Sequence, residues 1–245
     1  MVALGGESAG ASVTNGPSII ALLTARQYVD AATTVRIQGT VTQVTNEYRV
    51  DVTLFANGDS SGIVTVDGHL ARIVIVGTWY YLEGTAGFWT SVFNQSPSNS
   101  ERLSKEWIGV PRSSLTGLGA NLSMEHLRSG FDLSPNVVLA SAGISTVDGH
   151  RALGVRISGK GTLWIAASGY RPVAFDGTNS GNELSIRFSD WGRGAPPRVP
   201  PGAVQFFDSG ASSARATAVS ARSAQARPYE LRSPLIPARA DAPPA

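Results

Sequence analysis

The pentapeptide Thr-Val-Asp-Gly-His occurs twice in this chain, as Thr65–His69 and as Thr146–His150. Each copy joins two runs of alternating or β-branched residues. Asp-Gly between such runs is a strong hairpin signal, because Gly accepts positive φ and Asp tolerates it. Two hairpin tips of this kind commit the chain to antiparallel strands. They flank a stretch with helical spacing. The arrangement predicts one curved antiparallel sheet made in two halves, with helices across its face: a mainly β, α+β fold.

The rest of the pattern is consistent with that reading. Pro17 and Ser18 offer a start for a helix through about Ala32, with Leu22, Ala25, Val29 and Ala32 on one apolar face. The period then changes to two. Val35, Ile37, Gly39 and Val41 alternate with Arg36, Gln38, Thr40 and Thr42, and Tyr48, Val50, Val52 and Leu54 alternate with Arg49, Asp51 and Thr53. Asn57-Gly58 closes a turn, and Ile63–Val66, Ala71–Val76 and Trp79–Leu82 supply three more strands. From about Ala86 to Phe131 the strand signal fades. Phe88, Trp89 and Phe93 form an aromatic cluster in a short helical turn, and Leu103 and Trp107 lie four apart after Ser100, read as an N-cap. Leu115 and Leu118 follow Pro111, and Ser123 caps a helix carrying Leu127 and Phe131. Short amphipathic helices need a surface to lie on, and the sheet is the one available. Strands return at Asn136–Ser145, Arg151–Ile157, Thr162–Ala167, Pro172–Phe175 and Glu183–Phe188. From about Ala211 the chain is Ala, Ser, Arg and Pro, a composition that predicts a disordered tail.

Few chemistries survive inspection. The formal charge of +2 gives no field toward nucleic acid, and aromatics and arginines do not interleave along one face. The absence of cysteine excludes disulfides, thiolate metal sites and cysteine nucleophiles. No apolar run approaches the roughly 18 residues of a spanning helix. Gly6-Glu7-Ser8-Ala9-Gly10 has the spacing of a nucleophile elbow, but no strand precedes it to strain the turn. His69 and His150 occupy equivalent turn positions without further ligands at metal spacing, and His126 reads as a surface residue. Asp51, Asp59 and Glu83 fall on a polar face or in turns, and no carboxylate pair stands out as an acid/base couple. Gly159-Lys160-Gly161 reads as a hairpin turn. Trp79, Tyr80 and Tyr81 run consecutively, so at least one points outward; packing is favoured over a ligand rim. What remains is a continuous apolar inner face without reactive groups. Residue types alone favour an ordinary packed core, and the sequence by itself does not distinguish that core from a cavity.

Several runs resemble a known family. Tyr48 to Leu54, Asn57 to Val64, Trp79 to Gly84 and Phe88-Trp89 look like the actinobacterial LolA-like lipoproteins of the LppX/LprG type. So do Thr162 to Ala166, the strand Pro172 to Phe175, and Ile186 to Gly192. The order of helix, meander, helical insert and meander is also similar, over roughly residues 18 to 204. The resemblance implies a half-barrel antiparallel sheet of two meanders, with short helices packed on its concave face. It also implies a hydrophobic cavity that holds acyl chains of a lipid or lipoglycan, on the outer face of the cytoplasmic membrane. Leu4-Gly5-Gly6-Glu7 resembles a lipoprotein cleavage box, with Glu7 where the lipidated Cys would stand; a chance match in a Gly-rich stretch is the alternative. The tail is not a family feature.

The expected organisation is a flexible leader over 1–17, a LolA-like lipid-binding domain over 18–204 and a disordered tail over 205–245. The expected activity is non-catalytic binding and transport of acyl chains in the cell envelope. It needs no cofactor, metal or catalytic residue. Wall candidates are Val35, Ile37, Val41, Val50, Val52, Leu54, Val64, Ile73 and Ile75 from the first meander, with Phe88, Trp89, Leu103 and Leu127 on the helical side. Expected partners are the acyl chains, the membrane by peripheral association and an envelope protein, with no nucleic acid. The alternative is a structural or sensory envelope module with a filled core that binds another protein. A hydrolase ranks last.

Overall fold

The computed structural model describes residues 16–42, 46–112, 122–132, 139–179 and 182–205. The chain opens with helix α1 (Gly16–Ala31) and continues into a first meander of β1 (Thr34–Thr42), β2 (Glu47–Phe55), β3 (Ser60–Val66), β4 (His69–Val76) and β5 (Trp79–Gly84). An insert follows, with α2 (Ala86–Phe93), α3 (Pro97–Leu103), β6 (Ile108–Pro111) and α4 (Met124–Gly130). The second meander is β7 (Leu139–Val147), β8 (His150–Ile157), β9 (Gly161–Ala166), β10 (Pro172–Asn179) and β11 (Asn182–Ser189), and β12 (Val204–Gln205) closes the described chain.

All twelve strands among the described residues belong to one sheet, in the order β12-β6-β5-β4-β3-β2-β1-β11-β10-β9-β8-β7. It is a large, curved, open sheet, antiparallel except where the two residues of β12 run parallel to β6. The two meanders meet at β1 and β11, where Ile37 lies opposite Phe188 and Val41 opposite Leu184. Both repeated turns are two-residue loops with positive φ throughout: 49° and 82° at Asp67-Gly68, 47° and 76° at Asp148-Gly149. That is the turn whose twist matches the flanking strands, so each pentapeptide sets the register of its hairpin. Gly39 performs a different task at the seam. A Cβ there would collide with the backbone of Ser185 and Ile186, so only glycine lets β1 approach β11 this closely.

The helix reading holds with one correction. Thr85 caps α2 by accepting from the Phe88 N–H at 3.2 Å, and Ser123 caps α4 by accepting from His126 N–H at 3.1 Å. Ser100, however, is not a cap. It is buried inside α3, whose N-cap is Ser96 followed by Pro97, and Trp107 lies beyond the helix. Ser-Pro gives both a side-chain acceptor and a first residue with no N–H to satisfy, so it starts the helix a turn earlier. The strands β6 and β12 have no counterpart in the sequence pattern. At four and two residues they are too short to show alternation. Gln205 pairs with Gly109, which carries the sheet one residue past the expected domain boundary. Residues 1–15, with the cleavage-box and elbow motifs, Leu115 and Leu118, and residues 206–245 of the tail lie outside the described residues.

One cluster of buried side chains gathers the inner faces of both meanders together with α1, α2, α3 and α4. Tyr80 and Tyr81 are both buried, Tyr80 in that cluster and Tyr81 over Gly109, while Trp79 is half-buried. Asp59 is likewise more than a turn residue. It is buried, accepts from Asn57 Nδ2 at 2.7 Å and from the Gly77 N–H at 3.0 Å, and so ties the β2–β3 turn to the β4–β5 turn.

Candidate functional site

Alternation divides each central strand into an inner and an outer side with opposite chemistry. On the outer side, Arg36 on β1 grips Asp51 on β2 with two hydrogen bonds of 2.7 Å, and Gln38 adds a third at 3.1 Å. Across the seam, Arg187 on β11 donates to Asp176 on β10 at 2.7 Å, joined by Ser185 at 2.8 Å and Trp164 Nε1 at 3.1 Å. The hydrogen bond from Arg36 holds the Asp51 carboxyl below the usual carboxylate range. Burial pushes the Asp176 carboxyl up, but the hydrogen bonds from Arg187, Ser185 and Trp164 outweigh it and hold it low as well. These groups are fully partnered and stitch five strands together. They have the character of a frame.

The inner side carries no charge over the same strands. Helix packing there is concentrated on the two flanks: α2 on β4 and β5 with α3 beside it, α1 on β7, β8 and β9 with α4 beside it. Between them, at the end of the sheet bearing Val41 and Tyr48, the inner side chains are only half-buried. They are Ile37 and Val41 on β1, Tyr48 and Val50 on β2, Leu184 and Ile186 on β11, and Phe175 on β10. The register makes them one surface. Val41 faces Tyr48 and Leu184, Gly39 faces Val50 and Ile186, and Ile186 faces Phe175. Of these seven side chains only Tyr48 has a polar atom, and its hydroxyl accepts from Asn46 Nδ2 at 3.1 Å. A floor like this offers no nucleophile, no acid/base pair and no cation ligand. What it can do is remove hydrocarbon from water.

The thirteen wall candidates separate along the same division. Val35, Val52, Leu54, Val64, Ile73, Ile75, Phe88, Trp89 and Leu103 are fully enclosed members of the core. Phe88, Trp89 and Phe93 interlock with ring centroids 5.1–5.6 Å apart, filling the space between α2 and the sheet. Ile37, Val41, Val50 and Leu127 are half-buried, and the first three lie on the floor. The expected walls come from the first meander and the helical insert, and they leave out Tyr48 on β2 together with Phe175, Leu184 and Ile186 of the second meander. The signal for three of them is present in the sequence, since Tyr48 alternates with Arg49 ahead of Val50, and Leu184 and Ile186 alternate with Glu183, Ser185 and Arg187.

No protein-family model and no curated protein sequence matches the chain. Solved structures do. The crystal structure of LprF from Mycobacterium bovis superposes with a TM-score of 0.54 at 17% identity, covering 77% of this chain and 98% of that one. The lipoprotein LppX of Mycobacterium tuberculosis gives a TM-score of 0.49 at 14% identity, covering 74% of this chain and 98% of that one. At such identities the likeness speaks for the fold: the open, curved antiparallel sheet with a few helices of the LolA-like lipoproteins.

Proposed function

We propose that this protein binds and carries the acyl chains of a lipid or lipoglycan in the bacterial cell envelope, without catalysis. The observation behind the reading is the uncharged, half-buried floor of Ile37, Val41, Tyr48, Val50, Phe175, Leu184 and Ile186 between two helix-covered flanks. An ordinary core of this size would be enclosed throughout, as it is under α2. Each methylene seated on such a floor contributes about 0.8 kcal/mol, so a long chain binds without specific polar contacts. The fold, and the family resemblance carried by the sequence, point to the same class of cargo. We assign the binding unit to the expected residues 18–204 extended to 16–205, since α1 begins at Gly16 and β12 ends at Gln205, with leader and tail on either side. The membrane and an envelope protein are further partners in this reading.

Two measurements test it on the full chain. Lipid extraction of the purified protein followed by mass spectrometry should recover a stoichiometric acyl lipid. A fluorescent fatty-acid probe should bind with micromolar or better affinity and be displaced by phospholipid. A protein that carries no lipid and binds no probe is not a carrier, and the filled-core module that binds another protein takes its place.

A further inference from the structure

Three large aliphatic side chains of α1 stand in water. Ile19 is 36% exposed, Ile20 62% and Leu23 52%. The other side of the same helix is buried through Ser18, Ala21, Leu22, Ala25 and Val29. The first two turns are therefore apolar all round, whereas a surface helix ordinarily turns polar residues outward. Gly16 to Ala25 contains no charged residue. Charge begins at Arg26, which pairs with Asp132 at 2.6 Å and with Asp30 at 3.7 Å.

We propose that the first half of α1 docks on a lipid bilayer, seating Ile19, Ile20 and Leu23 at the boundary between headgroups and acyl chains. Size and charge single out this occupant. The three exposures add up to about one and a half whole aliphatic residues, on the order of 250 Å². A stable protein partner, including a second copy of this chain, needs roughly 800 Å² from each side. A bilayer sets no such minimum area: attachment strengthens in proportion to the apolar surface inserted, and a patch of this size gives weak, reversible binding. Ten consecutive uncharged residues also mean that insertion strips water from no charge. The Arg26–Asp30–Asp132 group marks where the helix returns to water. This inference concerns a surface distinct from the floor and does not depend on it.

The test uses the full chain with vesicles of phosphatidylethanolamine and phosphatidylglycerol, read by co-sedimentation. Wild type should bind. Ile20→Ser combined with Leu23→Ser should weaken binding about tenfold or more, because two partly exposed aliphatics lose their apolar transfer energy. The thermal midpoint should stay within about 2 °C, because the substituted side chains are exposed. Ile20→Trp should show added quenching by brominated lipid. Fatty-acid probe affinity, measured without vesicles, should be unchanged in the double variant, which separates this surface from the cargo floor. Failure of wild type to bind vesicles overturns the proposal, as does undiminished binding by the double variant. Loss of probe binding in the double variant would assign the patch to the cargo site instead, and a dimer that the double variant abolishes would assign it to a second copy.

Discussion

Val50 and Val52 stand two residues apart on β2 and point to the same side of the sheet, yet different surroundings cover them. Val52 is fully enclosed, in register between Ile37 and Gly62. Val50 is half-buried, between Gly39 and Val64, at the margin of the floor. Tryptophan at the two positions should therefore have opposite effects. Val52→Trp forces an indole into packed surroundings with no exit, and overpacking of this kind costs about 1–3 kcal/mol or more. Val50→Trp can lay its ring along the floor over Gly39, so its stability loss should stay under about 1 kcal/mol. The ring then occupies space for roughly three methylenes of a guest chain. At about 0.8 kcal/mol each that is about 2.4 kcal/mol, or roughly a 60-fold loss of affinity. Urea unfolding gives the first quantity and displacement of a fluorescent fatty acid the second, on the same preparations. Two results would refute the reasoning. If Val50→Trp destabilises as much as Val52→Trp, the floor is packed core. If Val50→Trp leaves both stability and affinity unchanged, no cargo lies over β2.

Two other perturbations test the frame. Gly39→Ala should destabilise by about 1–3 kcal/mol, since its Cβ meets the backbone of Ser185 and Ile186, whereas Gly130→Ala, whose Cβ meets nothing within 4 Å, should be neutral or slightly stabilising; equal effects on the urea midpoint would show that β1 and β11 can part without strain. Asp51 and Asp176 both have depressed carboxyl pKa values in the folded protein, so the stability they contribute is complete above the unfolded carboxylate pKa of about 4 and is lost as pH falls through their folded values. Thermal midpoints measured from pH 7 down to pH 2 should fall at the acid end, and Asp51→Asn with Asp176→Asn should flatten that fall; an unchanged slope in the double variant would locate the acid sensitivity elsewhere.

The predicted strands reach the structure because antiparallel pairing is governed by local information, with shifted ends: β3 begins at Ser60 rather than Ile63, and β10 runs to Asn179 rather than Phe175. Period-two alternation places Val35, Ile37, Val50 and Leu54 inward, and an Asp-Gly pair with two positive φ values fixes which residues face each other. Neither depends on the rest of the chain. Short elements are different. Ile108–Pro111 and Val204–Gln205 become strands because a sheet edge lies beside them, and nothing in four or two residues announces that edge. Tertiary structure also decided which apolar side chains became core and which became floor. Val50 and Val52 are the same residue type in the same alternation, yet Val52 belongs to the buried cluster and Val50 stands half-buried at its margin. Ile20 and Leu23 likewise read as ordinary helix residues in the chain, and their exposure follows from the side of α1 that the sheet received. A sequence encodes which groups avoid water; the packing of elements far apart in the chain determines which of them succeed.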